Sequence, residues 1–196
     1  METKLYGLVL AGGKSSRMGT DKGILKYHGK PQRDHLYEML QEVCDEVFLS
    51  VRSDQEDEIP EKFRTIADMN EVRGPQNGMQ SAHKTHPEAA WLIVATDLPL
   101  LNKDALLKLI VEREKEKVAT AYAVSGSDLP EPLCAIWEPR SFDLAKEFIS
   151  ETGNTCPRKF LINSDIKIIH PDDDAVLMNA NDEDDYKEVK KILSET

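Results

Sequence analysis

Apolar residues in this chain come in short runs that alternate with helical patterns, which points to βαβ units and a mostly parallel sheet. Residues 5–10 form the first buried run and end in a glycine-rich turn. Leu36, Met39, Leu40 and Val43 then recur at helical spacing after Pro31, which predicts an amphipathic helix. Residues 47–51 read as a second strand and 63–66 as a weaker third. The run 91–95 is a strong buried strand that stops at Thr96-Asp97-Leu98-Pro99. Asn102 is placed to cap a following helix whose Leu107, Ile110 and Val111 share a face. Later strands are expected at 118–124, 133–137 and 166–169, and helices at 142–149 and 158–162. A last helix, capped by Asn181 or Asp182, turns Tyr186, Val189 and Leu193 inward.

A length of 196 residues without repeats or a long linker suits one domain over 1–196 with a sizeable core. The net charge of −11 argues against a general nucleic-acid or anionic-membrane binder, since both need a positive surface. It leaves room for one phosphate-bearing ligand in a local basic pocket. Cys44, Cys134 and Cys156 are odd in number and far apart, so they form neither a disulfide framework nor a paired-cysteine metal site. The first apolar run is six residues long, too short for a signal peptide or a membrane span, and a reduced, cytoplasmic protein is expected. The acidic stretch 182–185 opens the last helix, with Lys187, Lys190 and Lys191 after it, an order that suits the helix dipole. His83 and His86 lie three apart with no third ligand beside them and read as residues of a surface helix.

The segment Leu10-Ala11-Gly12-Gly13-Lys14-Ser15-Ser16-Arg17-Met18-Gly19-Thr20-Asp21-Lys22 carries the chemistry. It follows a buried strand, at the edge where open parallel sheets bind their ligands. Gly12 and Gly13 let backbone N–H groups approach phosphate oxygens, Arg17 offers a fork of donors, and Lys22 adds a compact charge. A P-loop is excluded because Gly19 precedes Thr20 rather than Lys, and the Gly-x-Gly-x-x-Gly dinucleotide fingerprint is absent.

This segment resembles the signature loop of the nucleotidyltransferase family that includes molybdenum cofactor guanylyltransferase, Leu-x-Gly-Gly-x-Ser-x-Arg-Met-Gly-x-Asp-Lys. Gly29-Lys30-Pro31, Gly74-Pro75-Gln76-Asn77-Gly78, Thr96-Asp97-Leu98-Pro99 and Asn179-Ala180-Asn181 resemble further segments of that family, in its order. The Asp21-Lys22 ending is similar to the guanylyl branch. The resemblance implies a three-layer α/β/α, Rossmann-like fold of the nucleotide-diphospho-sugar transferase type. It also implies transfer of GMP from GTP to the terminal phosphate of molybdopterin, with Mg²⁺ and release of pyrophosphate. Leu10, Ala11 and Gly12 are then expected on the base and ribose side, Lys22 on the nucleotide phosphates, Asp68 on the nucleotide and Asp97 on Mg²⁺. Arg52 stands where the family has a nucleotide-contacting Asn. Transient contact with cofactor-insertion proteins and molybdoenzymes is implied as well. Asp97 also fits a plain Asp-Leu-Pro turn, Asp68 a loop, and Gly78 the opening of a helix. Arg158 and Lys159 are candidates for the acceptor. Two other functions stay open at this point: a nucleotidyltransferase using CTP or a sugar-phosphate acceptor, and a non-catalytic GTP-binding assembly protein.

Overall fold

In the computed structural model, residues 3–12 and 22–195 are described (of Lys22, the backbone). The elements are β1 (Leu5–Leu10), α1 (Gln32–Gln41), β2 (Glu46–Val51), β3 (Thr65–Ala67), α2 (Pro75–Thr85), β4 (Ala90–Ala95) and α3 (Lys103–Val111). After them come β5 (Ala119–Tyr122), β6 (Glu131–Trp137), α4 (Pro139–Thr152), α5 (Pro157–Ile162), β7 (Lys167–Ile169) and α6 (Glu183–Glu195).

Seven strands form one sheet in the order β3-β2-β1-β4-β6-β5-β7. The pairs β1–β2, β1–β4, β2–β3 and β5–β7 are parallel, so the expected mostly parallel sheet is present. β6 runs antiparallel to both β4 and β5. The link of residues 123–130 between β5 and β6 holds no helix, and a parallel neighbour needs a crossover to bring the chain back.

Alternating side chains divide the interior into two layers. Val9, Leu49, Leu92 and Val94 face one side with Leu36 and Leu40 of α1 and Leu106 and Leu109 of α3. Leu8, Trp91, Ile93 and Trp137 face the other with Met79 of α2, Phe142 of α4 and Phe160 of α5. Helices on both faces of the sheet make the three-layer α/β/α arrangement. Each fully buried Leu, Trp or Phe adds about 1.5–3 kcal/mol relative to an exposed one.

The caps follow the sequence reading. The Asn102 side chain accepts from the Ala105 amide at 2.9 Å, and Asp182 Oδ1 accepts from the amides of Asp184 and Asp185 at 3.0 Å each. On α3 the expected face needs correction. Ala105, Leu106 and Leu109 are its buried residues, whereas Leu107 is 42% and Val111 81% exposed. The helix ends at Val111, so the 3.6-residue repeat turns Leu107 and Val111 together towards solvent. Among the described residues, no helix is long and apolar enough to cross a membrane.

Candidate functional site

The carboxyl ends of β1, β2, β3 and β4 meet the start of α2 around a cleft of about 530 Å³. This is the edge where open α/β sheets bind ligands. Leu10, Ala11 and Gly12 leave β1 into the cleft, Ser50 and Arg52 come from β2, Asp68 follows β3, and Asp97 follows β4. Gly78 and Asn77 of α2 complete the same wall.

Two glycines make this wall close-fitting. A Cβ on Gly12 would lie 3.0 Å from the Arg52 amide nitrogen and 3.2 Å from Asp68 Oδ2. One on Gly78 would lie 2.1 Å from Ser50 Oγ. The loop before α2 turns at Gly74, whose φ of +72° favours glycine, and Pro75 takes the first helical position, where no N–H is missed. The helix thus starts at Pro75, and Gly78 does not open it: its role is the close approach to β2.

Asp68 is anchored from several sides. Its amide donates to Val51 O at 2.8 Å, and its Oδ1 accepts from the Ser50 hydroxyl at 2.8 Å. Burial pushes the Asp68 carboxyl up, while hydrogen bonds from Ser50 and Asn77 and the Arg52 charge pull it down. Ser81 ties this loop to α2 by accepting from the Met69 amide at 3.0 Å and donating to Asn77 O at 2.8 Å. Asp68 is therefore a fixed member of the cleft and not an ordinary loop residue.

Arg52 donates to Gly12 O at 3.3 Å and pairs with Asp54 at 2.9 Å, so its guanidinium lies across the exit of β1. Asp97 is half-buried, and its backbone oxygen accepts from the Ala180 amide at 2.9 Å. That bond brings the 179–181 segment against the end of β4. Helix α3 is capped by Asn102, so Asp97 does not serve as its cap. Burial raises the Glu131 carboxyl, Arg158 opposes this, and the Asp97 charge adds to the rise. Arg158 pairs with Glu131 at 2.7 Å and donates from Nε to Pro130 O at 2.9 Å.

Of the expected site residues, the structure brings together Leu10, Ala11, Gly12, Asp68 and Asp97. Gly13 and Arg17 lie outside the described residues. The backbone of Lys22 opens a 3₁₀ turn, Lys22–Ile24. The sequence reading gives Ser50 no role and names Asn77 only within the Gly74–Gly78 segment. A lone hydroxyl closing the apolar run 47–51 was the available signal for Ser50, and a polar residue beside Gly78 was the signal for Asn77.

The surface reading of His83, in α2, and of His86, which caps its C-terminus, also needs correction. His83 is 6% exposed and stacks on Phe142 with ring centroids 4.6 Å apart. His86 packs against Tyr6 and Phe48 at 5.1 and 5.2 Å. His83 belongs to the α2 packing layer, because that helix buries its polar face as well as Met79 and Ala82, while His86 is half-buried at the helix end.

Among the described residues, no three His, Cys, Asp or Glu side chains gather as a metal cage. The cleft is lined by two carboxylates, Asp68 and Asp97, and Mg²⁺ takes one or two carboxylates and completes its shell with substrate phosphates and water. Asp97, at the end of β4, is one that could hold it.

A family model described as the MobA-like NTP transferase domain matches residues 7–167. A Synechocystis protein named molybdenum cofactor biosynthesis bifunctional protein is 38% identical over 189 residues, which cover 96% of this chain and 54% of that protein. The chain thus spans about half the length of that relative. A Pseudomonas fluorescens protein named molybdenum cofactor guanylyltransferase is 30% identical, with 89% of this chain and 88% of that one covered. The crystal structure of molybdopterin-guanine dinucleotide biosynthesis protein A from Archaeoglobus fulgidus superimposes with a TM-score of 0.80. It covers 97% of this chain and 100% of that one at 21% identity, and so shares the fold.

Proposed function

This chain belongs to the MobA-like NTP transferase family, and from that premise we propose that it transfers GMP from GTP to the terminal phosphate of molybdopterin in its molybdenum-loaded form. The products are molybdopterin guanine dinucleotide and pyrophosphate. The observation that carries this reading is one cleft holding Gly12, Asp68 and Asp97 at the carboxyl ends of three strands. Gly12 permits close backbone approach, Asp68 offers a half-buried acceptor to a nucleotide, and Asp97 offers a carboxylate to a metal.

An oxygen of the acceptor phosphate attacks the α-phosphorus, and the bond from that phosphorus to the β-phosphate bridging oxygen breaks. The nucleophile is already ionised, so no general base is needed. Repulsion between two polyanions is the main obstacle, and positioning with charge neutralisation is the usual answer in phosphoryl-type transfer. Arg17 and Lys22 are assigned to the triphosphate, and Leu10, Ala11, Gly12 and Gly13 to the base, ribose and phosphate backbone. Asp97 would hold Mg²⁺, which supplies neutralisation of charge on the phosphates when bound. Arg158, held by Glu131, is assigned to the acceptor. The wider setting proposed is the cytoplasm, with transient contact to cofactor-insertion proteins and molybdoenzymes.

The test is product identity. Mass spectrometry after incubation with GTP, Mg²⁺ and molybdenum-loaded molybdopterin should find the guanine dinucleotide. A lack of that product alongside tight GTP binding would favour a non-catalytic carrier. Lys22→Ala should weaken GTP binding and slow transfer, and normal values in that variant would remove the lysine from the site.

A further inference from the structure

Three successive backbone oxygens after β4 each accept from a different part of the chain. Asp97 O accepts from the Ala180 amide at 2.9 Å, Leu98 O from the Gln32 side chain at 3.3 Å, and Pro99 O from His28 Nε2 at 2.8 Å. A carbonyl only accepts, so His28 Nε2 carries the proton and the NH₂ of Gln32 faces Leu98. The segment lies between β4 and α3 and belongs to neither. Its own backbone adds one turn bond, from the Leu101 amide to Leu98 O at 3.3 Å. Leu98 is fully buried, but apolar burial has no direction, whereas hydrogen bonds set how the segment is turned.

The donors are themselves held. His28 is half-buried, and its ring stacks on His35 with centroids 3.9 Å and planes 19° apart. The neighbouring Tyr27 is buried with Ala180 and Val189, and its backbone oxygen accepts from Lys190 at 3.4 Å. Gln32 opens α1, is fully buried, and its backbone amide donates to Leu25 O at 2.9 Å. Its Oε1 has no hydrogen-bond partner among the described residues. An apolar side chain would fill that place without an unmet acceptor, so what glutamine contributes there is its donor. The stretch that carries His28 begins at Lys22, assigned above to the triphosphate.

We infer that His28 and Gln32 are positioning residues for Mg²⁺ binding: by holding Pro99 O and Leu98 O they fix the course of the segment that presents the Asp97 carboxylate to the cleft. The inference rests on the reading of Asp97 as the metal's carboxylate. Mg²⁺ demands near-octahedral geometry and tolerates little error in the place of a ligand. Groups that hold a metal ligand in place commonly matter about tenfold or more to metal affinity. Neither side chain lines the cleft, so their effect runs through the 97–99 segment.

Calorimetric titration with GTP, once in EDTA and once at saturating Mg²⁺, reads the gain in affinity that the metal brings and needs no acceptor. His28→Phe keeps a ring on His35 and removes the donor, while His28→Gln keeps a donor in the place of Nε2. His28→Phe should lower the affinity at saturating Mg²⁺ about tenfold and leave that in EDTA within about twofold. His28→Gln should recover most of the gain. Asp97→Asn, run beside them, should lose the gain outright. A gain kept by Asp97→Asn would remove the metal from Asp97 and this inference with it. A gain lost in Asp97→Asn and kept in His28→Phe would overturn the inference alone. Equal loss in EDTA and in Mg²⁺, or no recovery in His28→Gln, would make His28 a packing residue and overturn its assignment. Should His28→Phe fail to fold, as its thermal melt shows, Gln32→Leu decides by the same measurement. Its expected loss is about threefold and confined to Mg²⁺, and a loss of equal size in EDTA would overturn the inference.

Discussion

The Ser50 hydroxyl fills the space that a side chain on Gly78 would need: a Cβ there would stand 2.1 Å from Ser50 Oγ. The same hydroxyl donates to Asp68 at 2.8 Å. Glycine in α2, a serine at the end of β2 and the cleft carboxylate are thus linked in one chain of contacts. Gly78→Ala gains helix propensity, roughly 1 kcal/mol, but forces the Ser50 hydroxyl to rotate aside and leaves the new Cβ 3.1 Å from both Ser50 Cβ and Leu10 Cδ2. Rotation breaks its bond to Asp68. The expected result is a thermal melt within a few degrees of wild type and a GTP affinity lowered about tenfold. Equal affinities in the two proteins would show that the Ser50–Asp68 bond has no bearing on the nucleotide.

Asp97→Asn keeps the size of the side chain and its turn, and the backbone bond from Ala180 does not depend on the carboxylate. Loss of an anionic ligand to Mg²⁺ should lower turnover by about two orders of magnitude or more, with the fold retained. Steady-state kinetics at saturating Mg²⁺ with a circular-dichroism control checks this. Near wild-type turnover would take the metal away from Asp97.

Arg158 is held by Glu131 at 2.7 Å and by Pro130 O at 2.9 Å, at the start of β6, whose Leu133 lines the cleft. Arg158→Ala should raise KM for the acceptor about tenfold and leave GTP binding within about twofold. It also leaves Glu131 without its opposite charge, so the melting temperature should drop. Unchanged acceptor kinetics would separate Arg158 from the acceptor.

Away from the cleft, His35 makes stability depend on pH. Its ring stacks on His28 with centroids 3.9 Å apart. Burial, then the charges of His28 and Lys30, lower it to about 4, with Glu38 opposing. Below about 6.5 the unfolded chain takes up a proton at this residue that the folded chain refuses until about 4. Stability therefore falls as pH drops from about 6.5 to about 4, by on the order of 2 kcal/mol, and levels off below. Urea unfolding across that range should show the slope, and His35→Gln should flatten it. A slope retained in the variant would place its origin elsewhere.

Much of the fold was legible in the sequence because period and punctuation are local. The runs behind β1, β2 and β4 and the caps at Asn102 and Asp182 were all readable from neighbouring residues. The antiparallel course of β6 was not, since it depends on a helix-free link and on which edge of β4 is open. Leu107 and Val111 misled because amphipathic spacing names a face without saying what that face meets. His83 misled because α2 buries polar residues against α4, and His86 because the end of α2 packs on Tyr6 and Phe48 of the sheet. In the site, Gly12, Asp68 and Asp97 sit at strand ends that the hydrophobic pattern already marks. Ser50 and Asn77 acquire meaning only when α2 is laid on β2, 28 positions apart at Gly78 and Ser50.

Pyrophosphate release with Mg²⁺ and molybdenum-loaded molybdopterin, compared for GTP, CTP, ATP and UTP, tests the central claim most directly. Release confined to GTP and dependent on the acceptor is the predicted result. Release with CTP in place of GTP, or none with any nucleotide, would contradict it.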